Sequence, residues 1–350
     1  MTGISRLPDK HASPYSVKLI FRLGLLFQLC MICLGCGQPT LADNLALYQS
    51  RLAAVLDKPV VALPAVEPLY YPSLRQLKSP IPASNIAMKD FYALQGCNAS
   101  LLIAQRNTPM GRTQLPSTRY IYETQLINAL RGCVQSSADN GGVNTLLAEK
   151  ITYLPLVWAD LVQTSNEVRT AFSSNNAFLV EQQNEALSAT HNALSYLLAL
   201  QNTTTADAGS LEKHLQQLAN YKLPAKVSRS QRLLAHQLNL TTLWLSEQKL
   251  SGQCPGGKPS QQVRYLKNVF QLFFIEKIQP LAGQLNHIQY QLLPVYQEFA
   301  RSPYLNQGFK VLLERNQLEF TAYQEAMTQH IEFWQQLLAQ CNLSPMVNSR

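Results

Sequence analysis

Charge is what this sequence has least of. Only 14% of its 350 residues are Asp, Glu, Lys or Arg, with 21 acidic residues against 29 basic ones. No long Lys/Arg run occurs, and aromatic and basic residues do not alternate, so the surface that tracks a nucleic-acid backbone is missing. The net charge of +8 does not restore it. Arg6, Lys10, Lys18 and Arg22 against Asp9 carry +3 of that total within residues 1–35, and the remaining +5 is thinly spread. No nucleic-acid partner is expected.

Catalytic and cofactor signatures are scarce as well. His11, His191, His214, His236, His287 and His330 include no pair at helical ligand spacing and no HExxH arrangement, so no metal and no cofactor is expected. A GxSxG elbow is absent. Glu123 and Glu149 fall in helices that can adjoin, but salt-bridged or solvated glutamates outweigh a general-acid role there. The string Gly252 to Lys258, GQCPGGK, fits the first places of a phosphate-binding loop. It lacks the delivering strand, and Pro259 stands where a magnesium-binding hydroxyl is required, so a turn pinned by a disulfide is the better reading. Strands are missing too: β-branched residues nowhere alternate with polar ones over a strand's length, and no internal repeat is visible.

What is present begins with an address. Leu23 to Cys36, LGLLFQLCMICLGC, follows Lys18 and Arg22 and supplies about a dozen apolar residues before Leu34-Gly35-Cys36. That length suits an export signal rather than a transmembrane helix, which needs about 20 residues. Residues 1–35 are read as a lipoprotein signal peptide and Cys36 as the lipid-bearing first residue of the mature chain. Cleavage without lipid, or an uncleaved signal anchor, is the alternative. Cys33 stands where a lipobox usually has leucine. Acyl chains on Cys36 would hold the chain on a bilayer, each buried methylene contributing roughly 0.8 kcal/mol. Gly37, not aspartate, follows, which by resemblance to the enteric sorting rule favours the outer membrane over the inner membrane or a soluble periplasmic state.

Of seven cysteines, Cys30, Cys33 and Cys36 belong to that stretch, leaving Cys97, Cys133, Cys254 and Cys341. An even number in an exported chain reads as two disulfides, with three possible connectivities. Residues 36–85 hold a short helix, on which Leu45, Tyr48, Leu52 and Leu56 share a face, then a segment containing Pro59, Pro64, Pro68, Pro72, Pro80 and Pro82. That segment is too apolar for a free linker and is expected to lie extended across a helical body formed by residues 86–350. In the body, Phe91, Leu94, Cys97 and Leu101 share a helix side, with an interruption possible at Gly96. Tyr122, Leu126, Leu130 and Cys133 share the next. An antiparallel hairpin turning at Asn107 to Pro116 brings Cys97 to Cys133, a closure worth on the order of 4 kcal/mol. Further helices are expected at Val143–Val168, Phe178–Leu200, a shorter one capped by Asp207 or Ser210, Val227–Leu250, Val263 to Pro280 and beyond, and Tyr304–Cys341. Cys254 with Cys341 completes the pairing. The fold expected is all-α, an elongated multi-helix bundle with long antiparallel helices behind an extended Pro-rich segment.

The most individual piece is Arg106-Asn107-Thr108-Pro109-Met110-Gly111-Arg112, with Arg119 and Tyr122 beyond it. A basic turn of this kind suits an anionic partner such as a lipid headgroup, peptidoglycan or an acidic protein face. The commoner use of such arginines is to satisfy helix-end carbonyls, and that reading outweighs the first.

The Cys36 lipobox, LALYQSRLAAVLD, the Pro-rich crossing and above all CNASLLIAQRNTPMGRTQLPSTRYIYETQLINALRGC resemble an uncharacterised family of predicted gammaproteobacterial lipoproteins, defined only by a domain of unknown function. The resemblance spans nearly all the mature chain and implies an envelope address without an activity. The expected function is therefore a non-enzymatic, periplasm-facing binding or scaffolding lipoprotein. It would be attached to a membrane by its lipid and partnered by an envelope protein or peptidoglycan. The alternatives are an envelope or peptidoglycan-active hydrolase and a carrier of an apolar ligand.

Overall fold

The computed structural model describes residues 39–343 apart from 62–65, 84–85, 137–140, 174–176 and 181. Residues 1–35, expected to be a signal peptide, and Cys36 lie outside the described residues. Every strand-length or longer element among the described residues is a helix, as the all-α reading requires.

Helix α1, Leu41–Leu56, opens on a capping box in which Thr40 Oγ1 accepts from Asp43 N–H and the Asp43 carboxylate accepts from Thr40 N–H at 2.8 Å. Leu45, Tyr48, Leu52 and Leu56 are buried in the main core, so this helix is part of the body. The Pro-rich segment that follows contains one helical turn, α2 (Leu74–Leu77), and is pinned across the body rather than free. Buried Gln163 is its fastening: its Oε1 accepts from Asn306 N–H at 2.8 Å, its Nε2 donates to Leu77 O, and its carbonyl accepts from Tyr71 Oη at 3.0 Å. Asp160 accepts from Ser79 N–H at 2.7 Å just beyond.

The remaining helices are α3 (Met88–Ala93), α4 (Asn98–Arg106), α5 (Pro109–Arg112), α6 (Pro116–Ser136), α7 (Gly141–Thr164), α8 (Asn166–Ser173), α9 (Asn184–Ala199), α10 (Ala208–Tyr221), α11 (Leu223–Glu247), α12 (Gln261–Val269), α13 (Gln279–Arg301) and α14 (Gln307–Gln340). A π-helical stretch, Phe270–Ile278, joins α12 to α13. Pro280, which has no N–H to give, sits where the wide turns give way to α13. The expected interruption at Gly96 is real: α3 and α4 are separate, and Gly96 has φ +82°, a conformation glycine adopts without a Cβ penalty.

Several boundaries differ from expectation for visible reasons. Helix α7 ends at Thr164 and α8 continues after Ser165, in place of one helix to Val168. Helix α9 starts at Asn184, not Phe178, because Ser230 Oγ takes the Leu179 N–H at 2.8 Å and Gln182 has φ +61°. That holds residues 177–180 against α11, with the Arg229 guanidinium 5.1 Å from the Phe178 ring centre. Asp207 caps α10, accepting from Ser210 N–H at 2.7 Å.

Two hydrophobic clusters organise the packing. The larger runs from α1 through α14 and contains Trp158, Phe274, Phe299 and Trp334. The smaller gathers Leu94 at the end of α3 with Ala99, Ile103, Tyr122, Leu126, Leu130, Cys133, Val143 and Leu146 from the hairpin of α4 and α6 and the start of α7. Cys97 and Cys133 lie at disulfide distance beside this small cluster, Cα to Cα 5.9 Å. Cys254 and Cys341 do the same at 5.2 Å, tying the turn before α12 to the end of α14.

Candidate functional site

A cleft of about 360 Å³ opens where the two clusters meet. Its first wall is the end of α4 and the turn into α5. Thr108 closes that turn, its Oγ1 accepting from Gly111 N–H at 3.1 Å and donating to Gln105 O at 2.8 Å. Gly111 is required there, since a Cβ would meet the backbone carbonyls of Gln105 and Arg106. With Thr108 capping the turn, Arg106 and Arg112 are left to line the cleft beside Asn107.

Helix α6 forms the second wall, on which Arg119, Tyr122, Glu123 and Leu126 recur at three- and four-residue spacing on one face. Helix α7 forms the third, with Leu146, Lys150, Tyr153 and Val157 spaced the same way. Ile81, Pro82, Ala83 and Ile86 of the crossing segment complete it. All four residues of the basic turn singled out in the sequence, Arg106, Asn107, Arg112 and Arg119, therefore face one cavity.

Electrostatics distinguish this place from the rest of the body. Among the described residues, Arg106, Arg112, Arg119 and Lys150 surround a single lining carboxylate, Glu123, which is buried. Lys150 Nζ lies 3.0 Å from Glu123 Oε2 and 3.3 Å from Oε1, so it engages both oxygens. Arg119 Nε reaches Glu123 only at 4.0 Å. Arg106 lies over the Tyr122 ring, 5.9 Å from its centre. Burial first, then the Glu123 charge, push the Tyr122 phenol well above its ordinary range, so it is a neutral donor or acceptor there. Two arginine nitrogens, Arg106 Nη1 and Arg119 Nε, are buried with no hydrogen-bond acceptor among the described residues. An unsatisfied buried donor costs about 1–3 kcal/mol.

Charges of the two signs are more evenly matched in the neighbouring cavities lined by Glu67, Glu319 and Arg232. A second cavity of about 290 Å³ lies beside Tyr70, but there Arg232 is shared between Glu319 at 3.7 Å and Glu67 at 3.9 Å, and Ser228 donates to Glu319. The GQCPGGK string forms short turns in which Gly256 and Gly257 have φ +59° and +74°, and Asn342 Nδ2 donates to Gly257 O at 3.2 Å. It is a pinned turn, not a phosphate loop. His330 is buried in the core. Among the described residues no group of His, Cys, Asp and Glu is placed to hold a metal ion.

Lys150 is the functional-site residue that sequence reasoning did not find. It pairs with Glu123 across two helices, and only the register of α7 against α6 identifies it. The family match covers all three walls, extending over residues 45–345. The chain belongs to the family described as proteins of unknown function (DUF3080). No curated protein and no solved structure matches it. The DUF3080 assignment matches the expectation of a family defined only by a domain of unknown function and brings no activity with it. What this chain's fold offers chemically is an arginine-rich concavity with one apolar side.

Proposed function

We propose that this DUF3080 protein is a cell-envelope lipoprotein, held on the outer membrane through Cys36, whose helical body faces the periplasm and binds or scaffolds a partner. The cationic cleft is the contact. The observation that carries this reading is the excess of cations around Glu123: among the described residues, four lining cations against one lining carboxylate in a single concavity. The envelope half draws support from Cys97–Cys133 and Cys254–Cys341, which stand at bridging distance as an oxidising compartment favours. The resemblance to predicted lipoproteins supports the same address.

The apolar-carrier alternative has one observation in its favour. Ile81, Ile86, Ile103, Leu126, Leu146 and Val157 give the cleft an apolar side, so a ligand with an apolar part fits it. The hydrolase alternative finds one lining carboxylate, Glu123, with both oxygens engaged by Lys150.

Cell fractionation of the full chain and of Cys36→Ser tests the anchor. The unsubstituted chain should pellet with membranes and the variant should be released; equal pelleting contradicts the reading. In-cell photocrosslinking tests the contact. A photoreactive residue at Met110, 85% exposed on the turn between Arg106 and Arg112, should capture a partner that the same residue at exposed Tyr265 on α12 does not. Indistinguishable capture from both positions contradicts it.

A further inference from the structure

We propose that the cleft is a site for a phosphoryl group, supplied either by the headgroup of an acidic lipid or by a soluble phosphate compound. This rests on the reading of the cleft as the binding surface and names its ligand class.

Charge comes first. Glu123 consumes Lys150, whose amine reaches both its oxygens. Arg106 and Arg112 have no ion-pair partner among the described residues, and Arg119 touches Glu123 only at 4.0 Å. Three guanidinium groups from two separate walls thus converge on one concavity with almost no anion to meet them.

The second observation is independent of charge. Arg106 Nη1 and Arg119 Nε are closed off from solvent and lack acceptors among the described residues, so each guanidinium is already partly desolvated where its residue lines the cleft. Arg106 is also steadied by the Tyr122 face at 5.9 Å, which reduces the ordering that binding would require. A phosphoryl group spreads its terminal oxygens tetrahedrally, three or more in a monoester or free phosphate and two in a lipid diester, and so meets planar donor forks arriving from different walls, whereas the two carboxylate oxygens lie in one plane.

Size and surroundings narrow the ligand. About 360 Å³ holds a phosphoryl group with a small attached body. The apolar side formed by Ile81, Ile86 and Val157 accepts a glyceryl or similar body. Met110 and Leu115, 85% and 66% exposed, stand on the same turn and would meet a bilayer surface if a lipid is the source.

Isothermal titration of the full chain with inorganic phosphate at low ionic strength tests the site. Saturable binding is expected, weakened at least tenfold in Arg106→Gln/Arg112→Gln. Arg112→Gln alone, altering an exposed side chain with no ion pair among the described residues, should weaken it several-fold with an unchanged circular dichroism spectrum. Flotation with phosphatidylcholine vesicles, with and without phosphatidylglycerol, separates the sources. A phosphatidylglycerol-dependent gain that the double variant loses identifies the headgroup, and phosphate binding without that gain identifies a soluble ligand. Absence of phosphate binding, or equal binding by wild type and both variants, overturns the site. That result with Cys36-dependent membrane association intact would leave the envelope reading standing, and the reverse pair of results would remove the envelope reading alone.

Discussion

The hydroxyl of Tyr48 lies 2.9 Å from Nε2 of His330, joining the first described helix to the last. Trp334 Nε1 donates into the same place, 3.0 Å from Tyr48 Oη and 3.1 Å from His330 Nε2. On the other side of the ring, Thr242 Oγ1 lies 2.8 Å from Nδ1 and donates its own proton to Leu238 O at 2.7 Å. Thr242 must therefore accept from His330, which puts the ring proton on Nδ1 and leaves Nε2 as the acceptor for Tyr48 and Trp334. A proton on Nε2 would break this arrangement, and burial pulls the imidazole down from 6.5 to about 3.

That relationship makes a pH prediction. The unfolded chain takes up a proton on His330 below about pH 6.5 while the folded chain does not until about pH 3. Stability is therefore lost as pH falls through that window, by about 1.4 kcal/mol per unit. Asp160 and Glu319, both raised chiefly by burial, contribute the opposite slope, so the comparison is with His330→Gln. Urea midpoints between pH 6 and 4 should fall more steeply for wild type than for the variant; parallel slopes contradict the assignment.

Removing the Tyr48 hydroxyl should be felt at once. Tyr48→Phe strips a buried partner from both Trp334 and His330 and is expected to cost about 1–3 kcal/mol, read from denaturant unfolding. A change below a few tenths of a kcal/mol would mean that the network does not bind α1 to α14.

In the cleft, Lys150→Met should destabilise on the order of 3 kcal/mol by leaving the buried Glu123 carboxylate with Arg119 alone at 4.0 Å. Glu123→Gln/Lys150→Met, which removes both charges, should recover most of that loss in thermal unfolding. Failure to recover would show that the pair is not coupled.

The turn itself has a backbone test. Gly111→Ala places a methyl against the Gln105 and Arg106 carbonyls and should cost about 1–3 kcal/mol, displacing Arg106 from the cleft. Phosphate affinity should fall along with stability; an unperturbed affinity would separate the turn from the site.

Much of the fold could be read from residue order, because helices and hairpins are local. Tyr122, Leu126, Leu130 and Cys133 are buried as their spacing predicts, and the Cys97–Cys133 approach follows from a hairpin whose arms are adjacent in the chain. The basic turn was legible for the same reason. Spacing does not say where a buried face stops: Leu101 and Leu318 keep apolar register yet are 62% and 69% exposed. Amide side chains were the larger gap. The abundant Gln and Asn suggest a polar surface, yet Gln163 fastens the crossing segment and Gln231, Gln289 and Asn316 form a buried chain of 3.2 and 2.8 Å hydrogen bonds across α11, α13 and α14. A glutamine can be buried only where another helix supplies its partner, and that partner is distant in sequence. Lys150 was hidden for the same reason.

The cysteine pairs give a chemical test of the small cluster. Non-reducing peptide mapping should recover Cys97 with Cys133 and Cys254 with Cys341. Cys97→Ala/Cys133→Ala should lose about 2–4 kcal/mol and loosen the hairpin that carries Arg106. Any other pairing contradicts the topology.

The most direct measurement of the central claim, that the cleft is where this protein meets its ligand, is amide hydrogen exchange of the full chain with and without inorganic phosphate. Phosphate should slow exchange in residues 103–123 of the turn and α6 and in 146–157 of α7, while α11 and α14 stay unchanged. No change anywhere, or a change confined to α11 and α14, would contradict it.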